Sequence, residues 1–231
     1  MKTPMYDQPI SEQQSLQLIT EMIQKAKKDV HERGTSSILW GSVIGFCGLV
    51  AFAERQWNFY IGFDVWLLAL VAIVPQIFIS VKEARQRNVV THMQAAMNNV
   101  WLVFGLSIFA LMFYFNAVPG ITERMLLQEG RQVVEREPIT GIEVPFRYFI
   151  ASSSSLLLLL YAIPTLVTGL TFRFKPMIVG AVLCYCFFAA SLFTNSKTDL
   201  LFSGLAAICN WLIPGLILRS RYTKEKAALD V

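Results

Sequence analysis

The sequence predicts an all-α polytopic membrane protein, six transmembrane helices arranged as three hairpins with both termini cytoplasmic. Three observations predict it. Hydrophobic residues make up 55% and charged residues 16% of the 231, against roughly 25% charged in soluble domains. The apolar residues gather in runs long enough to cross about 30 Å of hydrocarbon at about 1.5 Å per residue, where a helix satisfies its own backbone. Lys and Arg also fall unevenly between the runs. Segments on the side of the N-terminus carry 5, 3, 2 and 4 of them and the opposite segments 1, 4 and 1, with Arg147 at the outer edge of the fourth span counted among the 4, the bias that marks a cytoplasmic side.

Residues 1–35 read as a cytoplasmic N-terminal segment. Ser11 and Gln14 fit a capping box, and Leu16, Ile19, Ile23, Ala26 and Val30 recur at alternating spacings of three and four, which places them on one helical stripe. The opposite face carries Glu12, Glu21, Lys25 and Lys28. Such a stripe packs on the ends of a bundle, lies on the inner leaflet, or binds a membrane or cytoplasmic protein partner.

Residues 36–218 form the membrane domain. The first span covers 36–53 and ends Ala51-Phe52-Ala53; a signal-peptide reading of that A-x-A sequence is set aside because the lead ahead of it is too long for an n-region. Trp57, Tyr60 and Trp66 mark the outer interface, where amphipathic rings settle. The second span covers 60–81. Its one acid, Asp64, is placed to cap a helix start, and Gln76 follows Pro75 directly, placed to replace a hydrogen bond lost at the break. The third span covers 100–118 and is expected to stop at Pro119-Gly120, a breaker pair.

The outer loop 119–145 is mixed in charge, with Thr122 placed to cap a short helix. The fourth span, 146–172, opens near the serine run 152–155, whose small hydroxyl side chains suit close helix packing. The fifth span covers 177–194 after a tight turn through Arg173, Lys175 and Pro176. The sixth covers 198–218, with Asn210 near its centre and Pro214 beyond it, and a basic cytoplasmic tail, 219–231, closes the chain.

This inventory excludes several chemistries. His31 and His92 lie outside the spans, which leaves no intramembrane bis-His haem site and no Ser-His pair. Midplane ionisable groups of the kind proton relays use are missing from the spans, as are a glycine-rich phosphate loop and an H-E-x-x-H motif. The four cysteines all fall within spans, and Cys184 and Cys186, two apart on a helix, face different ways. The basic residues follow the membrane edges, which argues against nucleic acid. The expectation is a non-enzymatic chain with no cofactor and no metal, whose first partner is the lipid bilayer. The candidate functional positions are the intramembrane polar or kinked ones, Gln76, Asn210, Pro75, Pro164 and Pro214. They either line a path for a small transporter or channel, or bond across helices and bend them.

Four stretches carry a resemblance: Ile38-Leu39-Trp40-Gly41, Pro75 with the basic edge from Lys82 to Arg87, Phe174-Lys175-Pro176-Met177-Ile178-Val179-Gly180-Ala181, and Ile213-Pro214-Gly215 with Leu218-Arg219. Together they resemble a group of uncharacterised small bacterial multi-span membrane proteins with an N-terminal amphipathic helix and a Leu-Trp-Gly first span. The resemblance implies a bacterial cytoplasmic (inner) membrane and a shared fold. Its motifs concern packing and turns, so it implies no activity.

Overall fold

The computed structural model describes residues 34–86, 92–146 and 153–228. The N-terminal stripe from Leu16 to Val30 lies outside the described residues. The described chain is mostly helical, and five helices are long and apolar enough to cross a membrane. A sixth apolar helix has 17 residues.

Helix α1, Thr35–Trp57, ends at Asn58, whose left-handed backbone (φ 52°) sends its N–H back to the Glu54 carbonyl; asparagine tolerates that conformation better than most residues. The sequence places the second span at 60–81, but regular helix starts later, as α2, Leu67–Val71, and resumes as α3, Ile73–Gln86. Two local causes shape this segment. Asp64 Oδ1 accepts from the Trp66 N–H at 2.9 Å and starts the first turn. Pro75 has no N–H to offer the Val71 carbonyl four residues back, and the ladder breaks at Ala72 and restarts with Gln76 N–H to Ala72 O at 3.1 Å.

Helix α4, His92–Gln128, is 37 residues, about 55 Å at 1.5 Å per residue. The expected stop at Pro119-Gly120 does not occur, and Thr122 lies inside the helix rather than capping a new one. A proline interrupts one hydrogen bond, and the strong helix formers Glu123 to Gln128 carry the helix on. The outer loop then departs from the all-α expectation with a two-stranded antiparallel hairpin, β1 (Val134–Arg136) and β2 (Glu143–Pro145). Gly141, at φ 69°, supplies the left-handed turn residue, and Arg136 stands opposite Glu143, a favourable cross-strand pairing.

Helix α5, Ser153–Thr171, and α6, Lys175–Ser191, form a tight hairpin. Its turn is a Schellman motif: Phe174 N–H reaches Gly169 O at 2.8 Å and Arg173 N–H reaches Leu170 O at 3.2 Å, with Arg173 at φ 52° where glycine is usual. Ser191 Oγ donates to Ser155 Oγ at 2.7 Å across the pair. Asn195 caps α7, Ser196–Ala207, by accepting from the Thr198 N–H. A π-helical segment, Ile208–Leu212, joins α7 to α8, Ile213–Ala227, and the helix thus runs past the expected end at 218.

Helix α1 lies against the α7–π–α8 rod, and α5 and α6 pack on the rod's other sides. The contact with α1 is built from glycine. A Cβ on Gly48 would stand 2.6 Å from Gly204 Cα, one on Gly45 2.9 Å from an Ile208 side-chain carbon, and one on Gly41 would collide with the Leu212 backbone. Without side chains between them the backbones approach closely, the usual basis of helix association where lipid removes the hydrophobic driving force. Helices α2, α3 and α4 stay at the rim.

Candidate functional site

A seam of buried polar groups runs along the α5–rod interface at Asn210. Proline 214 cannot donate to the Asn210 carbonyl four residues before it, and around this gap the backbone slips to five-residue hydrogen bonding, Ile213 N–H to Ile208 O. Such π-turns recur at functional sites. The slip leaves Asn210 fully buried, with Nδ2 donating to the Tyr161 carbonyl of α5 at 2.8 Å. Gly180 of α6 admits the rod here, since a Cβ on it would meet the Cys209 carbonyl and come within 3.0 Å of Asn210 Cα. Asn210 Oδ1 and Ser203 Oγ, both buried, have no hydrogen-bond partner among the described residues.

Two tryptophan bonds extend the seam. Trp211 Nε1 donates to Thr165 Oγ1 at 2.9 Å, and that hydroxyl donates on to the Tyr161 carbonyl. Trp101 Nε1 of α4 donates to Thr168 Oγ1 at 3.2 Å, and Thr168 donates to the Pro164 carbonyl. The rings close over these bonds: Tyr161 and Trp211 lie 4.8 Å apart, and Phe104 meets Trp101, Tyr161 and Trp211 edge-on. Trp101, Tyr161, Thr165, Thr168 and Trp211 were not among the candidates from sequence. A tryptophan in mid-span, next to Asn210 or opposite threonines, was the available signal, because a buried indole N–H needs an acceptor.

Of the positions singled out in the sequence, Asn210, Pro164 and Pro214 are all buried, Asn210 against the Tyr161 carbonyl and Pro164 three residues further along α5. Pro75 is exposed on α3. Gln76 does not repair the Pro75 break as expected, because its side chain is turned to α1. Its Oε1 accepts from Trp40 Nε1 at 3.0 Å and its Nε2 donates to Ser36 Oγ and Ser80 Oγ, each at 3.0 Å. The reason is geometric: the freed Val71 carbonyl lies more than a turn back, while two partners on α1 are within reach. Gln76 is therefore the polar tie that fastens the rim helix to the core. Replacing Gln76 with Leu strips the Trp40 indole of its acceptor and is expected to cost about 1 to 2 kcal/mol. Thermal denaturation in detergent should show a drop of a few degrees, and an unchanged melting point would mean that α3 is held by other contacts.

A cavity of about 280 Å³ opens at the far end of α1, lined by Glu54, Arg55, Tyr60, Asp64, Trp66 and Leu200 among others. Its charged groups already hold the loop together. Glu54 Oε1 accepts from the Ile61 N–H at 3.0 Å, Asp64 Oδ1 from the Trp66 N–H, and Arg55 Nη1 donates to Ser196 Oγ at 3.1 Å. Among the described residues no three His, Cys, Asp or Glu side chains converge as metal ligands would. Cys184 is buried and donates to the Leu158 carbonyl, while Cys186, on another face of α6, is exposed.

No protein family, curated protein or solved structure matches this chain.

Proposed function

We propose that the chain is a six-span protein of a bacterial cytoplasmic membrane, with N- and C-termini on the cytoplasmic side, and that it works without catalysis as an accessory, sensory or scaffold component. The observation that carries this reading is α4. Its backbone approaches α5 alone among the described elements, while Phe109 and Phe113 are 75% and 70% exposed and Leu102, Val103 and Leu106 stand out beside them. A 37-residue helix with so much unburied apolar flank offers a long surface to lipid and to neighbouring spans, and Ser191, Asn210 Nδ2 and Trp211 in the core bond across helices. The N-terminal stripe Leu16, Ile19, Ile23, Ala26 and Val30 is the second contact element of this reading, on the cytoplasmic side. The six-span count requires α6 to cross as well; its 17 residues cover about 25 Å and are completed by the apolar residues that follow.

A transporter or channel is the second reading, supported by the unpartnered Asn210 Oδ1 and Ser203 Oγ beside the π-turn. One experiment separates the two. The full chain is purified from native membranes in mild detergent, alongside Ile19→Glu, Ile23→Glu and Asn210→Ala. The scaffold reading expects a stoichiometric companion that both stripe variants lose and that Asn210→Ala keeps. A monomer or homo-oligomer without companion, together with a solute flux that Asn210→Ala abolishes, would reverse the assignment.

A further inference from the structure

The two ends of the bundle differ in charge in a way that becomes local only once the chain is folded. At one end lie Glu54, Asp64 and Asp199, with Arg55 and Lys197 among them, and the β-hairpin, which holds three acids and Arg136. At the other, the α5–α6 turn meets the last turns of α8. Their sequences, 172–176 and 219–226, hold six Lys and Arg and one acid, Glu225.

The structure joins these segments through one contact. The Arg221 guanidinium carbon stands 5.4 Å from the centroid of the Phe174 ring, and Phe174 is itself held buried by the Schellman turn. A cation over an aromatic face keeps its N–H edge free for an anion. Arg173 and Lys175 flank Phe174 in the chain, both exposed. Lys224 lies three residues after Arg221, on the same helix face, and is also exposed. Among the described residues none of these four side chains pairs with an acid. Arg173 further holds a left-handed backbone, φ 52°, at a position where glycine would fit with less strain. Arg219, by contrast, lies about 160° around α8 from Arg221 and about 140° from Lys224, and faces away from the turn.

We propose that Arg173, Lys175, Arg221 and Lys224 form a seat for the phosphate-bearing headgroup of an anionic phospholipid, at the level where α5, α6 and α8 leave the hydrocarbon. Charge complementarity and position point to lipid together. The four cations lie on the two segments that the Arg221–Phe174 contact joins, beside apolar helix ends, where a phosphodiester would sit with its acyl chains against the exposed α6 residues Val179 and Val182. The inference rests on the membrane-spanning reading and is independent of any protein partner.

The test is native mass spectrometry of the full chain released from phosphatidylcholine nanodiscs doped with phosphatidylglycerol or cardiolipin. The wild type should retain anionic lipid in preference to phosphatidylcholine, and retention should fall as salt shortens the screening length to a few ångströms. Arg173→Gln/Lys175→Gln and Arg221→Gln/Lys224→Gln should each lower retention at least about tenfold, since a basic residue near the surface contributes about a fivefold factor. Arg219→Gln, which removes one charge from the other face of α8, should leave retention unchanged, where the loss of a seat residue would lower it about fivefold. Equal losses in Arg219→Gln, indifference to salt in the wild type, or binding of soluble glycerol phosphate as tight as that of the whole lipid would each overturn the proposal. The wild-type salt series decides the question even if a double variant does not fold.

Discussion

Leucine at position 48 is expected to force α1 away from the last helix and to cause a large loss of stability. The Gly48 Cα faces Gly204 so closely that a first side-chain carbon would lie 2.6 Å from both Gly204 N and Cα and 3.0 Å from the Leu200 carbonyl. All three are backbone atoms of the rod, which cannot rotate aside as a side chain does. Overpacking of a tight core costs about 1 to 3 kcal/mol where side chains yield, and more where backbone must move. A loss of about 3 kcal/mol or more corresponds to a melting point lower by roughly ten degrees for a chain of this size. Gly105→Leu supplies the comparison, since a Cβ there meets nothing within 4 Å; it should be neutral or slightly stabilising through helix propensity. Size-exclusion profiles after stepwise heating give the readout. A Gly48→Leu protein that melts with its parent would show that α1 and the rod stand farther apart than the glycine contacts imply.

Aspartate in place of Asn210 is expected to give a loss of similar size, for an electrostatic rather than a steric reason. The wild-type Nδ2 donates to the Tyr161 carbonyl at 2.8 Å in a site with no exposure to solvent. The carboxylate puts an acceptor against an acceptor and adds a charge to the middle of a span, a change that costs about 3 kcal/mol by insertion measurements. Asn210→Leu removes the donor and the unpartnered Oδ1 together, and its cost should stay near about 1 kcal/mol. The order of melting points is thus wild type, Leu, Asp at neutral pH. Acid should recover part of the aspartate loss, because the protonated carboxyl again has a hydrogen to give Tyr161. A leucine variant that melts below the aspartate one would show that Oδ1 has a donor partner in the membrane.

The core of the candidate site was only partly legible. Asn210 and the prolines 164 and 214 stand out in any apolar run, and bonding of Asn210 across to a neighbouring helix was one of the two readings open. Its partner carbonyl at Tyr161 and the Trp211–Thr165 bond were not, since the register of one helix against another leaves no periodic mark in either sequence. Gln76 shows the same limit. Its place after Pro75 suggested a local repair, and its bonds to Ser36 and Trp40 exist only because α1 and α3 come together. The helix through Pro119 and the strand pair at 134–145 were misread for a different reason. Outside the hydrocarbon, breaker and turn signals compete with propensities of similar size, and neither dominates.

The sequence by itself determined the class of the protein. Runs of about twenty apolar residues must be helices where no water satisfies the backbone, and basic residues at alternate ends of those runs define two unlike sides. It also determined the local devices that depend on near neighbours alone: the Asp64 cap, the break at Pro75, and the opposed faces of Cys184 and Cys186. Only the tertiary structure decided that the first helix lies on the last through Gly41, Gly45, Gly48 and Gly204, that Asn210 meets Tyr161, and that Arg221 covers Phe174. These contacts join residues 47 to 171 positions apart. Lipid exerts no hydrophobic pull between helices, so which faces meet follows from how closely their surfaces fit, a property of pairs of helices.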